Sequence, residues 1–198
     1  PIATALAGSA GGNLAAMVVS VTIPVFNVLA VIALEMFNGS KPSFFKTLVG
    51  IIKNPLILAS VAALLFLNFN IHIPDIINST MERISSITSP LSFLMLGAYF
   101  SFSEVSNYVK QITVVSLFKL IIFPAIFILA AVFLGFASVE IAVIFAVFAS
   151  PVAIGSFTMA QEMGGDSKLA GQLIIFTSIL SVFTIFLLIF LLKHFSIL

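Results

Sequence analysis

The residues of this chain with the most chemical potential surround Pro151, in the run Val147-Phe148-Ala149-Ser150-Pro151-Val152-Ala153-Ile154-Gly155-Ser156. Proline inside an apolar helix removes a backbone donor and clashes with the preceding turn. In a bilayer each peptide group orphaned in this way costs several kcal/mol unless protein or trapped water satisfies it, so broken spans are tolerated where they line a site. The chemistry on offer is anion binding. A helix that restarts after a break presents free N–H groups and a partial positive charge, and a carboxylate can be held there without a formal cation. Val152, Ala153, Ile154 and Gly155 would supply the amides, and Gly155 would let a ligand come close to the backbone. Ser150, Ser156 and Thr158 would give their hydroxyls either to the ligand or to carbonyls freed by the break.

Two further polar residues fall inside apolar stretches. Lys119 is about two turns inside its span, and an intramembrane charge is costly enough to call for a role. It could attract an anion, hold a structural partner in place of a cation, or take part in proton coupling; the plain alternative is snorkelling of its long stem to the interface. Asn27, after Pro24, could face the site or bond between helices. Asn54 stands just before Pro55 at the start of a span, where asparagine caps a helix.

The elements that must position these residues follow from composition. The chain is 61% hydrophobic and 8% charged, with a mean hydropathy of +1.29. Soluble domains average about 25% charged residues, so the chain is an all-α integral membrane protein. A span needs about 20 mostly apolar residues. That rule gives the tail of one span at residues 1–7 and full spans at 13–36, 55–71, 84–102, 112–136, 139–161 and 169–192. A turn is expected at residues 8–12 and loops at 74–83, 104–110 and 164–168. Within residues 38–53, Phe45, Leu48, Val49 and Ile52 recur at helical spacing with Lys46 and Lys53 off the stripe, which predicts a short helix lying in the interface. The basic residues then orient the chain: Lys41, Lys46, Lys53, Lys110 and Lys168 go to the cytoplasm, Arg83 and Lys193 outside. The sequence opens mid-pattern at Pro1, as expected of the C-terminal part of a longer protein.

Two stretches share an order of residues. Pro1-Ile2-Ala3, Gly11-Gly12 and Leu14-Ala15 precede one long span; Pro151-Val152-Ala153, Gly164-Gly165 and Leu169-Ala170 precede another. With the orientation above, the two glycine pairs lie on opposite sides of the membrane, the pattern of an inverted-repeat carrier. The expected division is then 1–36 as the end of a first repeat, 37–53 as a cytoplasmic linker with the interfacial helix, and 54–193 as a second five-helix repeat.

Several segments resemble the auxin efflux carrier family, in particular its bacterial malate-permease-like members. Ser150-Pro151-Val152-Ala153, Ser156-Phe157-Thr158-Met159-Ala160-Gln161, Gly164-Gly165-Asp166, Leu169-Ala170-Gly171-Gln172 and Phe176-Thr177 are similar to that family's penultimate and last helices. Lys53-Asn54-Pro55-Leu56 resembles the start of its sixth helix, Ser89-Pro90-Leu91-Ser92-Phe93-Leu94-Met95-Leu96-Gly97-Ala98 its seventh, and Lys119 with Pro124 its eighth. The resemblance implies ten helices in two inverted repeats, six of them and a partial one present here. It also implies two proline-broken helices crossing at the substrate site, with Pro1 and Pro151 as the two prolines. Gly155 departs from it, since many relatives carry Asn or Ser at that position.

These features lead to a secondary carrier for small, malate-like carboxylates in a cell membrane, such as the bacterial inner membrane, working without a cofactor. The alternatives are a carrier similar to bile-acid:sodium symporters and a carrier fold reused as a sensor. No nucleotide-binding loop, H-E-x-x-H or G-x-S-x-G pattern occurs, which argues against ATP use and against an enzyme. No basic run suggests nucleic acid, and the absence of cysteine excludes disulfides and thiolate metal sites. The lipid bilayer and a small carboxylate are the expected partners. The oligomeric state is left open, a homodimer being one option.

Overall fold

Helix covers most of the described chain, running on through Pro24, Pro90 and Pro124 and interrupted before Pro55 and Pro151. The computed structural model describes residues 2–37, 44–100, 102–195 and 197–198, with the backbone alone for residues 44–47, 89 and 99. Pro1 and Lys41, and the side chains of Phe45 and Lys46, lie outside the described residues. Among the described residues there are nine α-helices and no strand. They are α1 (Ile2–Phe37), α2 (Phe44–Lys53), α3 (Pro55–Asn68), α4 (Asp75–Tyr99), α5 (Phe102–Leu117), α6 (Phe123–Phe133), α7 (Ser138–Phe148), α8 (Gly155–Glu162) and α9 (Ser167–His194). A π turn at Phe118–Ile122 joins α5 to α6, so Phe102–Phe133 runs on as a single 32-residue helix. Among the described residues three helices, Ile2–Phe37, Phe102–Phe133 and Ser167–His194, are long and apolar enough to cross a membrane. Only 6% of the most apolar stretch of Ile2–Phe37 is buried within the molecule. Its apolar side chains therefore face outward, the reverse of a water-soluble fold.

Where the chain starts a helix, the cap is legible. Asn54 is buried, and its side-chain oxygen accepts from the amides of Leu56 at 2.9 Å and Ile57 at 3.2 Å. Pro55 at the first helical position forfeits no bond, because its N–H would be an orphan there anyway. Asn54 is also the only residue between α2 and α3, so it fixes where α2 ends and α3 begins. Asn54→Ala should cost about 1 kcal/mol, read as a lower melting temperature of the purified protein, with Asn54→Asp or Asn54→Ser recovering most of the loss.

Helix extends beyond the predicted spans in two places. α4 begins at Asp75, nine residues before the apolar run. Asp75 in its first turn complements the helix dipole, and Asn78 donates to Glu82 at 3.1 Å one turn on. Its hydroxyls bond back to the preceding turn: Thr80 to the Ile76 carbonyl at 2.7 Å, Ser86 to that of Arg83 at 2.7 Å, and Ser92 to that of Thr88 at 2.7 Å. A polar helix is stable in this form because its side chains are satisfied locally. Likewise residues 104–110, expected as a loop, form the first turns of α5. The expected turn at 8–12 shrinks to Ala7 and Gly8, whose φ is 61°. The chain folds back there: a Cβ built on Gly11 would lie 2.6 Å from the Ala3 carbonyl oxygen, whereas residues eight apart on one helix are separated by about 12 Å.

The chain divides into two compact units. The first comprises Pro1–Val21, Phe102–Ala153 and Gln172–Leu198; the second comprises Thr22–Ser101 and Ile154–Gly171. Ile128 and Ala131 of α6, Ile141 and Phe145 of α7, Ala149 and Leu192 of α9 make the core of the first, with Ile2 and Leu6 packed against it. Val31 of α1, Ile57 of α3 and Met159 of α8 make the core of the second, with Leu34, Ile51 and Met163 around it.

Candidate functional site: the helix break at residues 149–154

Had the apolar run continued as one helix, the Val152 N–H would bond to the Phe148 carbonyl and the N–H of residue 151 to the Val147 carbonyl. Proline at 151 forbids the second of these bonds, and the structure takes the first apart. The Val152 N–H donates instead to Thr177 Oγ1 of α9 at 3.1 Å. The Phe148 carbonyl accepts instead from Lys119 Nζ of the π turn at 3.2 Å. Thr177 is wholly buried and passes its own proton to the Leu173 carbonyl at 2.6 Å. Ser150 gives its hydroxyl to the Ala146 carbonyl, and the Ala149 N–H reaches the Phe145 carbonyl at 2.8 Å. The Val152 amide and the Phe145, Ala146 and Phe148 carbonyls are thus taken up by named partners within the first unit, as a nonpolar medium favours.

Lys119 reaches this point because of the π turn. Pro124 has no N–H to give the turn before it, and the Phe123 N–H bonds to the Phe118 carbonyl, one residue wider than an α-turn. Lys119 and Phe127 are eight residues apart, which on a regular helix separates them by about 80°. The residue absorbed by the π turn reduces this to about 20° and puts both on one face. Both touch Phe148: Lys119 through the carbonyl, and Phe127 by stacking its ring on that of Phe148 with centroids 3.8 Å apart and planes at 13°. The same correction keeps Ile112, Ser116, Leu120, Pro124, Ile128 and Ala131 on the buried side of the long helix.

In the second unit the chain resumes at Ile154, and α8 begins at Gly155. A Cβ added to Gly155 would have nothing within 4 Å, so the start of α8 has open space beside it. Ser156 is half-buried in its first turn, and Asn27 is half-buried on α1. α8 ends in a tight stop: Gly164 takes a φ of 71°, and the Gly165 N–H bonds to the Ala160 carbonyl at 2.7 Å. Asp166 then starts α9, accepting from the Leu169 N–H at 2.9 Å. The Gly164-Gly165-Asp166 triplet is therefore a helix stop followed by a helix start.

Of the residues singled out from sequence, Lys119, Ser150, Pro151 and Val152 come together at the break in the first unit. Ile154, Gly155, Ser156 and Asn27 belong to the second, and Pro1 lies outside the described residues. Thr177 and Phe148 were not legible as partners. One acts through a hydroxyl that looks like any other in a span, the other through a backbone carbonyl, which every residue has. A separate concavity of about 380 Å³ lies between α5, the π turn and α9. Its lining is apolar apart from Thr113, Ser116 and Thr184 and carries no charge, so it does not suit an anion. Among the described residues no group of His, Asp or Glu is placed to hold a metal ion.

A family model described as a membrane transport protein matches residues 40–189. No curated protein and no solved structure matches the chain. The matched span covers α2 to α8 and most of α9, and includes the break at Pro151, the π turn with Lys119, and Thr177. The chain belongs to the auxin efflux carrier-type family of membrane transport proteins.

Proposed function

We propose that the protein is a secondary carrier for small carboxylates of the malate type, and that the break at residues 149–154 is where the carboxylate binds. The observation that carries this reading is the split pair of Val152 and Phe148. Each of these two groups is bonded to a dedicated side chain instead of to the other. The amides of Ile154 and Gly155, where α8 starts, would hold the carboxylate at the positive end of the helix dipole. Ser156, in the first turn of α8, would add a hydroxyl beside these amides, and Ser150, Pro151, Val152, Lys119, Asn27 and Pro1 are assigned to the same site from their place in the sequence. The inverted-repeat reading rests on the shared order of residues in the two glycine-paired stretches. The bacterial inner membrane is the proposed location.

Uptake of labelled malate into sealed liposomes containing the protein, with and without an imposed pH gradient, tests the reading. Flux above protein-free liposomes is expected; folded protein with no flux of malate or of other small carboxylates sinks it. Gly155→Ala is the sharper variant. Its methyl would enter space that is empty of protein, so the melting temperature should hold or rise slightly, alanine being favoured over glycine in a helix by up to about 1 kcal/mol. A carboxylate seated against that backbone would be displaced, and its apparent KM should rise several-fold. An unchanged KM would place the ligand elsewhere.

A further inference from the structure

We propose that the Lys119 ammonium is a tethered cation of the carrier, standing at the carbonyl end of α7 where an ion-driven carrier would hold a bound monovalent ion, so that the site assembles without sodium. The inference rests on the break being the substrate site. A helix interrupted in a membrane leaves two ends of opposite character. The leading amides of α8 attract an anion, and the trailing carbonyls of α7 attract a cation. Three of the carbonyls at that end already have donors. Lys119 donates to the Phe148 carbonyl at 3.2 Å, Ser150 to the Ala146 carbonyl, and the Ala149 N–H to the Phe145 carbonyl at 2.8 Å. A sodium ion at this end would need several carbonyl and hydroxyl oxygens turned toward it together. The Phe148 oxygen already faces an ammonium, and the Ser150 proton is directed at Ala146.

The fold spends specific features on bringing that charge here. Without the π turn, Lys119 and Phe127 would lie about 80° apart and could not both meet Phe148. Phe127 stacks on the ring of the same residue whose carbonyl the ammonium meets. Snorkelling does not describe this lysine: it is half-buried, and its head is bonded to a backbone atom 29 residues along the chain. Lys119 is accordingly a positioning residue. It fixes the carbonyl end of the break and offsets its negative dipole, and the substrate meets the other end.

The test needs no substrate. Thermal unfolding of the purified full-length protein is compared in sodium chloride and in choline chloride at equal ionic strength. The parent should melt at the same temperature in both. Lys119→Ala should melt several degrees lower in choline and recover a large part of the loss in sodium, because a small cation can then occupy the vacated position and stabilises the folded state by binding it. Lys119→Arg should stay close to the parent in both salts. Specific stabilisation of the parent by sodium would overturn the proposal, since a separate ion site would exist. Lys119→Ala melting equally low in both salts would also overturn it, since the lysine would then be a simple cap. If Lys119→Ala yields no folded protein, Lys119→Gln is read instead. It keeps a donor for the Phe148 carbonyl without the charge, and parent-like stability in choline would refute a role for charge. Carboxylate uptake in sodium-free buffer separates the two readings: the expected salt pattern without any flux would sink the transport assignment and leave the tethered cation standing.

Discussion

Pro151→Ala should reduce carboxylate flux through the reconstituted protein at least about tenfold while leaving expression and membrane insertion intact. The reason is the energy balance at the break. Alanine restores an N–H at 151 that can bond to the Val147 carbonyl, and a helix continuing past that point can also close Val152 onto Phe148. Each such bond contributes about 1 kcal/mol net, and alanine is favoured over proline inside a helix by about 3 kcal/mol. The opposing terms are the bonds from Lys119 to Phe148 and from Val152 to Thr177, each of similar size. With the bond at 151 already contained in the proline term, the continuous helix gains about 2 kcal/mol relative to the open break, more than a factor of about ten in population. Flux should fall with the population of the open form. Parent-level flux from a normal amount of variant protein would remove Pro151 from the mechanism.

Thr177→Val has the second-largest expected effect, and it reads stability first. Valine matches threonine in shape but can neither accept from the Val152 N–H nor donate to the Leu173 carbonyl. The Leu173 carbonyl keeps its helical surroundings, whereas the Val152 amide loses the acceptor that the structure gives it. An amide orphaned in a buried place costs about 1–3 kcal/mol, which for a chain of this size corresponds to roughly 2–4 °C of melting temperature per kcal/mol. Thr177→Ser keeps the oxygen and should restore most of the loss. In a Pro151→Ala background Thr177→Val should cost much less, because Val152 can then turn to Phe148. A double-mutant cycle would register this as coupling between two residues that do not bond to each other. Additive effects would show that the Val152 amide is not what connects them.

Much of the route to this site can be followed from the residues alone. Pro151 in an apolar run announces a broken span because a missing N–H is a covalent property of the residue. Asn54 before Pro55 announces a capped helix for a similarly local reason, and the cap is observed with two amides on its oxygen. The stripe of Leu48, Val49 and Ile52 announces α2, which ends at Lys53 as the pattern does. The reading is less accurate where apolarity stands in for helicity. Residues 75–83 and 104–110 are polar and still helical, since serine and threonine can satisfy their hydroxyls on the turn behind them and hydropathy does not register that option.

By itself, then, the sequence determined that this is an all-helical membrane protein, that one of its spans is broken at Pro151, and which family it resembles. All of these rest on composition, covalent geometry or short runs of residues. The tertiary structure decided what becomes of the break. Lys119 and Thr177 reach it from 29 and 25 residues away, and a backbone amide and a backbone carbonyl, present in every residue, are what they meet. The direction in which Lys119 points was equally out of reach, because a single π turn rotates everything beyond it by about 100° relative to a regular helix. Such a shift in register is settled by the packing of Phe127 on Phe148 and of the long helix against α7, which no local pattern of residues records.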